Sequence, residues 1–211
     1  MNTATGIVVI FGIMGMLLIA AACRFAMQRK QLSSGRNIGR FPLHREDEGN
    51  YVFNDLVTIT GQKKWCRLLL SFKLQGTYQI DMTPRYFFKP AALVMGTPFI
   101  LTISDAAGRV LYREEDTLAR FLAWLGGRGG SRGTFFSEQG RGIHEGRITL
   151  LEFLPGHSGL YRISLNMQSR VEGKAPGASS YCELLEAELT VKEDVIPLSK
   201  TVKYPHKRVH I

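Results

Sequence analysis

The residues that could do chemistry in this chain fall just short of working spacings. Gly156-His157-Ser158-Gly159 resembles the hydrolase nucleophile elbow G-x-S-x-G, in which a strained strand-to-helix turn exposes a serine for acyl transfer. Leu160 stands where the last glycine is needed, and the segment leads into a strand-like run, so a turn is its expected role. His44, His144, His157, His206 and His210 show neither HExxH nor any other metal-ligand spacing. GRGIHEG supplies Gly140 and Gly142 but has Glu145 in place of the third glycine of a dinucleotide loop, and no Walker sequence occurs. Glu114-Glu115-Asp116 reads as the acidic first turn of a helix, stabilised by its dipole, in preference to a catalytic cluster. No catalytic residue, metal site or cofactor is therefore expected.

The three cysteines carry the remaining chemistry. Ala20-Ala21-Ala22-Cys23 resembles a lipobox without its usual leucine, which makes Cys23 a candidate for lipidation. Cys66 and Cys182 both sit in or beside strand-like runs. They are a candidate disulfide in an oxidising compartment if their Cα atoms approach to about 4.4–6.8 Å, and otherwise two buried thiols.

The elements that would position these groups alternate apolar and polar residues with the period of half-buried strands. Tyr78, Ile80 and Met82 do so in TYQIDM; Phe99, Leu101 and Ile103 in FILTIS; Tyr161, Ile163 and Leu165 in LYRISLN; Leu185, Ala187, Leu189 and Val191 in LLEAELTV. Further strands are predicted over residues 51–60, 65–74, 110–113 and 147–154. Asp105-Ala106-Ala107-Gly108 reads as a hairpin connection, because Asp favours the turn and Gly accepts positive φ. One helix is predicted after Asp116 or Thr117, with Leu118, Phe121, Leu122 and Leu125 on one face and Gly126 closing it. Residues 126–146, GGRGGSRGTFFSEQGRGIHEG, read as a long irregular insertion. In it Arg128, Arg132 and Arg141 could clasp an anionic group and Phe135 and Phe136 could anchor a protein partner.

Residues 6–23, GIVVIFGIMGMLLIAAAC, are uncharged and almost wholly apolar. A helix of this length suits one tilted bilayer crossing, which makes membrane lipids the first expected partner. An uncleaved anchor, a lipoprotein signal and a cleaved signal peptide all fit the run; the start MNTATG lacks the positive charge a signal peptide normally carries. Arg24, Arg29, Lys30, Arg36 and Arg40 follow it, which by the positive-inside rule places the domain in the cytoplasm. Lipidation of Cys23 would place it on the opposite, periplasmic side.

Of 211 residues, 27 are Lys or Arg against 18 Asp or Glu, a formal charge of +9. Much of this lies beside the apolar run and in TVKYPHKRVHI, which reads as a basic, surface-seeking tail. No RNA-binding signature or DNA-reading helix accompanies the charge, so nucleic acid is not an expected partner. The organisation expected is an anchor over 1–26, a polar linker over 27–50, one β-sandwich over 51–197 and a basic tail over 198–211.

Residues 148–165, ITLLEFLPGHSGLYRISL, place a strand, a Pro-Gly turn and a Gly-x-Tyr-Arg-Ile strand in succession. This resembles the closing hairpin of small β-sandwich domains in uncharacterised bacterial cell-envelope proteins, often lipoproteins; the similarity spans about residues 65–192. Tyr161 is also similar to the tyrosine of other sandwiches whose phenol bonds the backbone. The expected fold class is mainly β: an antiparallel β-sandwich with one short inserted helix, preceded by a single transmembrane helix. The expected function is a non-catalytic, membrane-tethered module of the bacterial inner membrane, its domain on the periplasmic side, that binds a protein. An immunity protein capping an envelope-directed toxin is one version, and a subunit of a secretion or transport complex is the alternative.

Overall fold

The computed structural model describes residues 14–20, 22–23, 26–27, 30–31, 33–46, 49–61, 63–77, 97–118, 133–134, 141–175, 178–198 and 207–211, with side chains at 76–77, 133–134, 141–144, 171–175 and 178–182 outside the description. The described chain is mainly β. One sheet contains β1 (Arg36–Pro42), β11 (Ala178–Glu193), β4 (Cys66–Thr77), β8 (Arg141–Leu154) and β12 (Lys207–His210) in that order, with β10 (Arg170–Ala175) beside β11 and β7 (Gly133–Thr134) beside β8. The other runs β2 (His44–Arg45), β3 (Asn50–Ile59), β9 (Gly159–Gln168), β5 (Pro98–Asp105) and β6 (Val110–Thr117). Every described pairing is antiparallel except β12 with β8, which is parallel, a departure from the expected all-antiparallel sandwich.

Alternation builds the core between the sheets. Phe99, Leu101, Ile103, Tyr161, Ile163 and Leu165 are at most 1 % exposed and face Leu68, Leu70, Leu74 and Leu189 of the other sheet. On β11 the period slips once. The register shifts between Leu184 and Glu186, so Leu184 is buried before the bulge and Ala187, Leu189 and Val191 after it. Leu185, expected inward, is the extra residue; its carbonyl accepts the Tyr51 phenol at 2.6 Å, which ties the two sheets together.

The hairpin at 105–108 forms as expected. Asp105 Oδ1 accepts the amides of Ala107 and Arg109, and Gly108 takes φ +85°. Those bonds, the Arg109 amide first, hold the Asp105 carboxyl below its usual range. Pro155 to Ser158 form the turn between β8 and β9, as the failed nucleophile motif suggested. Tyr161 is fully buried and its phenol donates to the His157 carbonyl at 2.7 Å, closing that turn onto the core.

Four expectations change. The linker of 27–50 is in part β1 and β2, whose connection buries Leu43 as the chain passes from one sheet to the other. The tail of 198–211 ends in β12, so Lys207 and Arg208 belong to a sheet. Within the insertion of 126–146, β8 begins at Arg141 and β7 pairs with it through Gly133 and Thr134. Phe72 packs over Gly146, opposite it in the register, where a Cβ would overlap the ring, so glycine here serves close packing in a strand. The bridge between Cys66 and Cys182 does not form: Cys66 is free, and Cys182 pairs with Gly76, ten residues along β4 from Cys66. At about 3.3 Å per residue that separation is several times the reach of a disulfide. Residues 78–82 of TYQIDM and 119–126 of the expected helix lie outside the described residues; Asp116 and Thr117, its expected caps, end β6.

Replacing Tyr161 with Phe removes a buried donor and leaves the His157 carbonyl without it. Chemical denaturation should show a loss of about 1–2 kcal/mol; a change below a few tenths would mean the bond does not hold the turn.

Candidate functional site at the helix-bearing end

Every described residue from 14 to 33 is helical, and these residues are exposed except for the half-buried Gly15 and Gln31. Met14, Met16, Leu17, Leu18 and Ile19 are 51–68 % exposed, so an apolar stretch stands clear of the sandwich. Among the described residues no helix is long and apolar enough to cross a membrane, and residues 6–13 of the expected span lie outside them. Cys23 is exposed and helical.

The last turn of this helix meets a row of charged side chains that crosses the outer face of the seven-stranded sheet. Asn37, Lys192, Arg67, Glu152 and Arg208 are successive cross-strand partners on β1, β11, β4, β8 and β12. The inward neighbours Cys66, Leu68, Val191 and Phe153 are core residues, so alternation turns the charged row outward. Yet the side chains of Arg67 and Glu152 are fully buried, because the helix end and the segment after β11 lie over them.

Two of the row's three cations, Arg67 and Arg208, meet its one carboxylate, and carbonyl oxygens receive the remaining positive charge. Arg67 Nε and Nη2 donate to Glu152 Oε1 at 2.9 and 2.7 Å. Its Nη1 reaches the Gln31 carbonyl at 2.8 Å and Nη2 the Ile196 carbonyl at 2.8 Å. Lys192 Nζ lies 3.3 Å from the carbonyls of Ser33 and Ser34. Arg208 donates to Glu152 Oε2 at 3.1 Å and to the Leu198 carbonyl, and stacks over Trp65 with its guanidinium 5.2 Å from the ring centroid. Glu152 also accepts the Leu198 amide at 3.2 Å. Burial lowers the Arg67 pKa, with Glu152 opposing the shift and Arg208 adding to it. Lys192 is lowered by burial and then by Arg147, Arg67 and Arg40.

Cations set against free carbonyls are the complement of a helix C-terminus, whose last carbonyls lack intrahelical donors and carry partial negative charge. Ser34 completes the end: its Oγ donates to the Gln31 carbonyl at 2.6 Å and accepts the Ile196 amide at 2.9 Å. Gly35 follows with φ +91°; a Cβ there would overlap the Val195 side chain and come 2.8 Å from the Glu193 carbonyl oxygen. The helix therefore ends in a clamp, where the sequence suggested a spacer.

Two further buried carboxylates use basic residues the same way. Glu193 accepts from Arg36 and twice from Thr60, joining β11 to β1 and to the turn after β3. Glu114 on β6 receives the Tyr112 phenol at 2.6 Å and Lys207 at 2.8 Å, which links the edges of the two sheets. Cys66, beside Glu193, is inert: burial and then the Glu193 charge push its thiol up to about 12.

Arg128, Arg132, Phe135 and Phe136 lie outside the described residues, and of Arg141 only the backbone, at the start of β8, is described. The strand ends that bound the two longest connections, Thr77 with Pro98 and Thr117 with Arg141, all lie at the end of the sandwich opposite the helix clamp, as the registers require. Among the described residues no group of three His, Cys, Asp or Glu could hold a metal. The charged row went unread in the sequence, although a lone Arg in CRLLL and a lone Glu in LLEFL were its signal. No protein-family model matches the chain, and no curated protein matches it.

Two outcomes are expected at this end. Glu152→Gln leaves two guanidinium groups facing a neutral amide and should cost about 3–5 kcal/mol in denaturant unfolding, much of it recovered in Arg67→Met/Glu152→Leu with Arg208→Leu; a single-mutant cost below about 1 kcal/mol would contradict the burial. At Glu193 burial pushes the carboxyl up, but the bonds from Arg36 and Thr60 outweigh it and leave its pKa below the usual 4.5. A depressed carboxylate pKa stabilises the fold above the unfolded value, and this contribution disappears as pH falls through the folded value. Stability should thus drop below the usual Glu range, and Glu193→Gln should flatten that part of the pH profile.

Proposed function

We propose that this chain is a membrane-tethered β-sandwich of the bacterial envelope, held to the inner membrane by its N-terminal helix, that binds a protein partner with the end farthest from the tether. One observation carries the reading. Helical residues 14–20 are exposed and largely apolar, helical Gln31 and Ser33 further along are clamped at one end of the sandwich, and the strand ends Thr77, Pro98, Thr117 and Arg141, which bound the longest connections, stand at the other. A domain built this way offers its longest connections, with Arg128, Arg132, Phe135 and Phe136, away from the bilayer. The resemblance of residues 148–165 to envelope sandwich domains supports the same compartment, with the domain on the periplasmic side. Toxin neutralisation is the version of the binding role we favour, since a partner arriving from outside would meet that end first. The role is non-catalytic, in keeping with the broken motifs at 156–160 and 140–145.

A structural subunit of a secretion or transport complex is the second reading, favoured by the exposure of Met16, Leu17, Leu18 and Ile19 in succession, which a neighbouring helix could cover. Exchange of residues 1–23 for an unrelated anchor separates the two: a binding module keeps its partner and a subunit loses its assembly.

Substituting Arg128, Arg132, Phe135 and Phe136 together with Ser changes no residue of β7 or β8. Quantitative co-purification from detergent should show the partner reduced by roughly tenfold or more, the scale of one or two lost interface anchors. An unchanged partner set would remove these residues from the binding role.

A further inference from the structure

We propose that the helix-bearing end of the sandwich is itself a docking surface for anionic lipid headgroups, with Lys63 and Lys64 as its contacts. This rests on the bilayer reading of the helix. Because Gln31, Ser33 and Ser34 are clamped on the sheet, the tether joins the sandwich at one defined place, at this end. Cys23, the last residue of the apolar run, and Ala26, Met27, Lys30, Gln31 and Ser33 are helical, and at the helical rise the ten positions from Cys23 to Ser33 correspond to about 15 Å. The headgroup layer outside the hydrocarbon core fills about 7 Å of that. The remaining gap is within reach of turns that project beyond the strand ends and of extended lysine side chains.

The turn after β3 is so placed. The Val195 amide donates to the Trp65 carbonyl, Thr60 Oγ1 accepts from Arg36, and Ser34 bonds Ile196, so the turn, the segment after β11 and the helix end are direct neighbours. Lys63 occupies a left-handed conformation, φ 56°, and is exposed. Lys64 is exposed and faces Asp194 at 3.0 Å, a pair with both side chains more than half exposed. Such a pair contributes little, so the ammonium can exchange Asp194 for a lipid phosphate at small cost. Lys30 adds exposed positive charge along the same rim, Trp65 lies half-buried at it, and Ile196 is 44 % exposed. Glu193, adjacent in sequence to Asp194, is buried and matched to Arg36. Basic side chains with an aromatic ring and an exposed aliphatic residue are the composition of a membrane–water interface.

The test uses the full chain carrying Trp124→Phe, so that Trp65 alone emits, in vesicles of phosphatidylcholine with or without phosphatidylglycerol, each containing headgroup-spin-labelled lipid. Quenching of Trp65 should be about twofold greater with the anionic lipid, and should fall to the neutral-vesicle level at high salt and in Lys63→Glu/Lys64→Glu. Amide exchange over residues 60–65 in the unsubstituted chain reads the same contact and should slow about threefold or more with the anionic lipid. Equal quenching and equal exchange in the two vesicles would overturn the docking. Flotation of the same samples keeps the two ideas apart. A chain that does not float with either vesicle defeats the bilayer reading, and one that floats with both but shows no lipid dependence defeats the docking alone.

Discussion

The carboxylate of Glu152 is the point on which distant parts of the chain converge. It stands on the outer face of a sheet, where alternation puts side chains toward solvent, yet it is fully buried. Around it converge Arg67 of β4, Arg208 of the last strand and the amide of Leu198. Through Arg67 it is one residue removed from the helix end and from Ile196. Burying ions is costly, and a row with three cations and one anion is stable only if other groups carry the balancing negative potential. The carbonyl oxygens of Gln31, Ser33, Ser34, Ile196 and Leu198 supply it. The helix end is thus a component of the electrostatics of the sheet, and the sheet is the cap of the helix.

This arrangement changes the meaning of the chain's positive charge. A formal +9 suggests a basic surface. Part of the basic character is instead turned inward or matched: Arg67 and Lys192 are buried, Lys207 serves Glu114, Arg208 serves Glu152 and Arg36 serves Glu193. Among the described residues, Lys30 and Lys63, with Lys64 in an exposed pair with Asp194, stand at the helix-bearing end, where a bilayer would lie under the tether reading. Position, and not total charge, gives those residues their role in the proposal.

Local patterning made the central strands legible. In β5 and β9 a strict period of two coincides with one fully buried face, and at 105–108 an Asp and a Gly satisfy the hairpin within a few residues of each other. Tyr161 was readable because its phenol closes a local turn. Elements whose stability comes from distant partners were not readable. β1, RNIGRFP, is an edge strand with a polar outer face and a bulge, so it looks like linker. β12 has four residues, KRVH, and its charges make sense only beside Glu152 and Glu114, which lie tens of residues upstream. The β11 bulge moved Leu184 into the core in place of Leu185, a slip no periodic template contains. The glycines of residues 140–146 suggested an irregular loop, whereas at Gly146 the missing side chain makes room for Phe72 across the strand pair.

Both proposals place the sandwich on the bilayer by its clamped end. Energy transfer from a dye on Ser158, at the helix-bearing end, and separately on Gln168, at the opposite end, to an acceptor confined to the lipid headgroups measures this directly; both sites are exposed, and Cys23→Ser removes the exposed native thiol. The account predicts markedly higher transfer from position 158 than from position 168 in reconstituted full-length protein. Equal transfer from the two ends, or higher transfer from position 168, would contradict it.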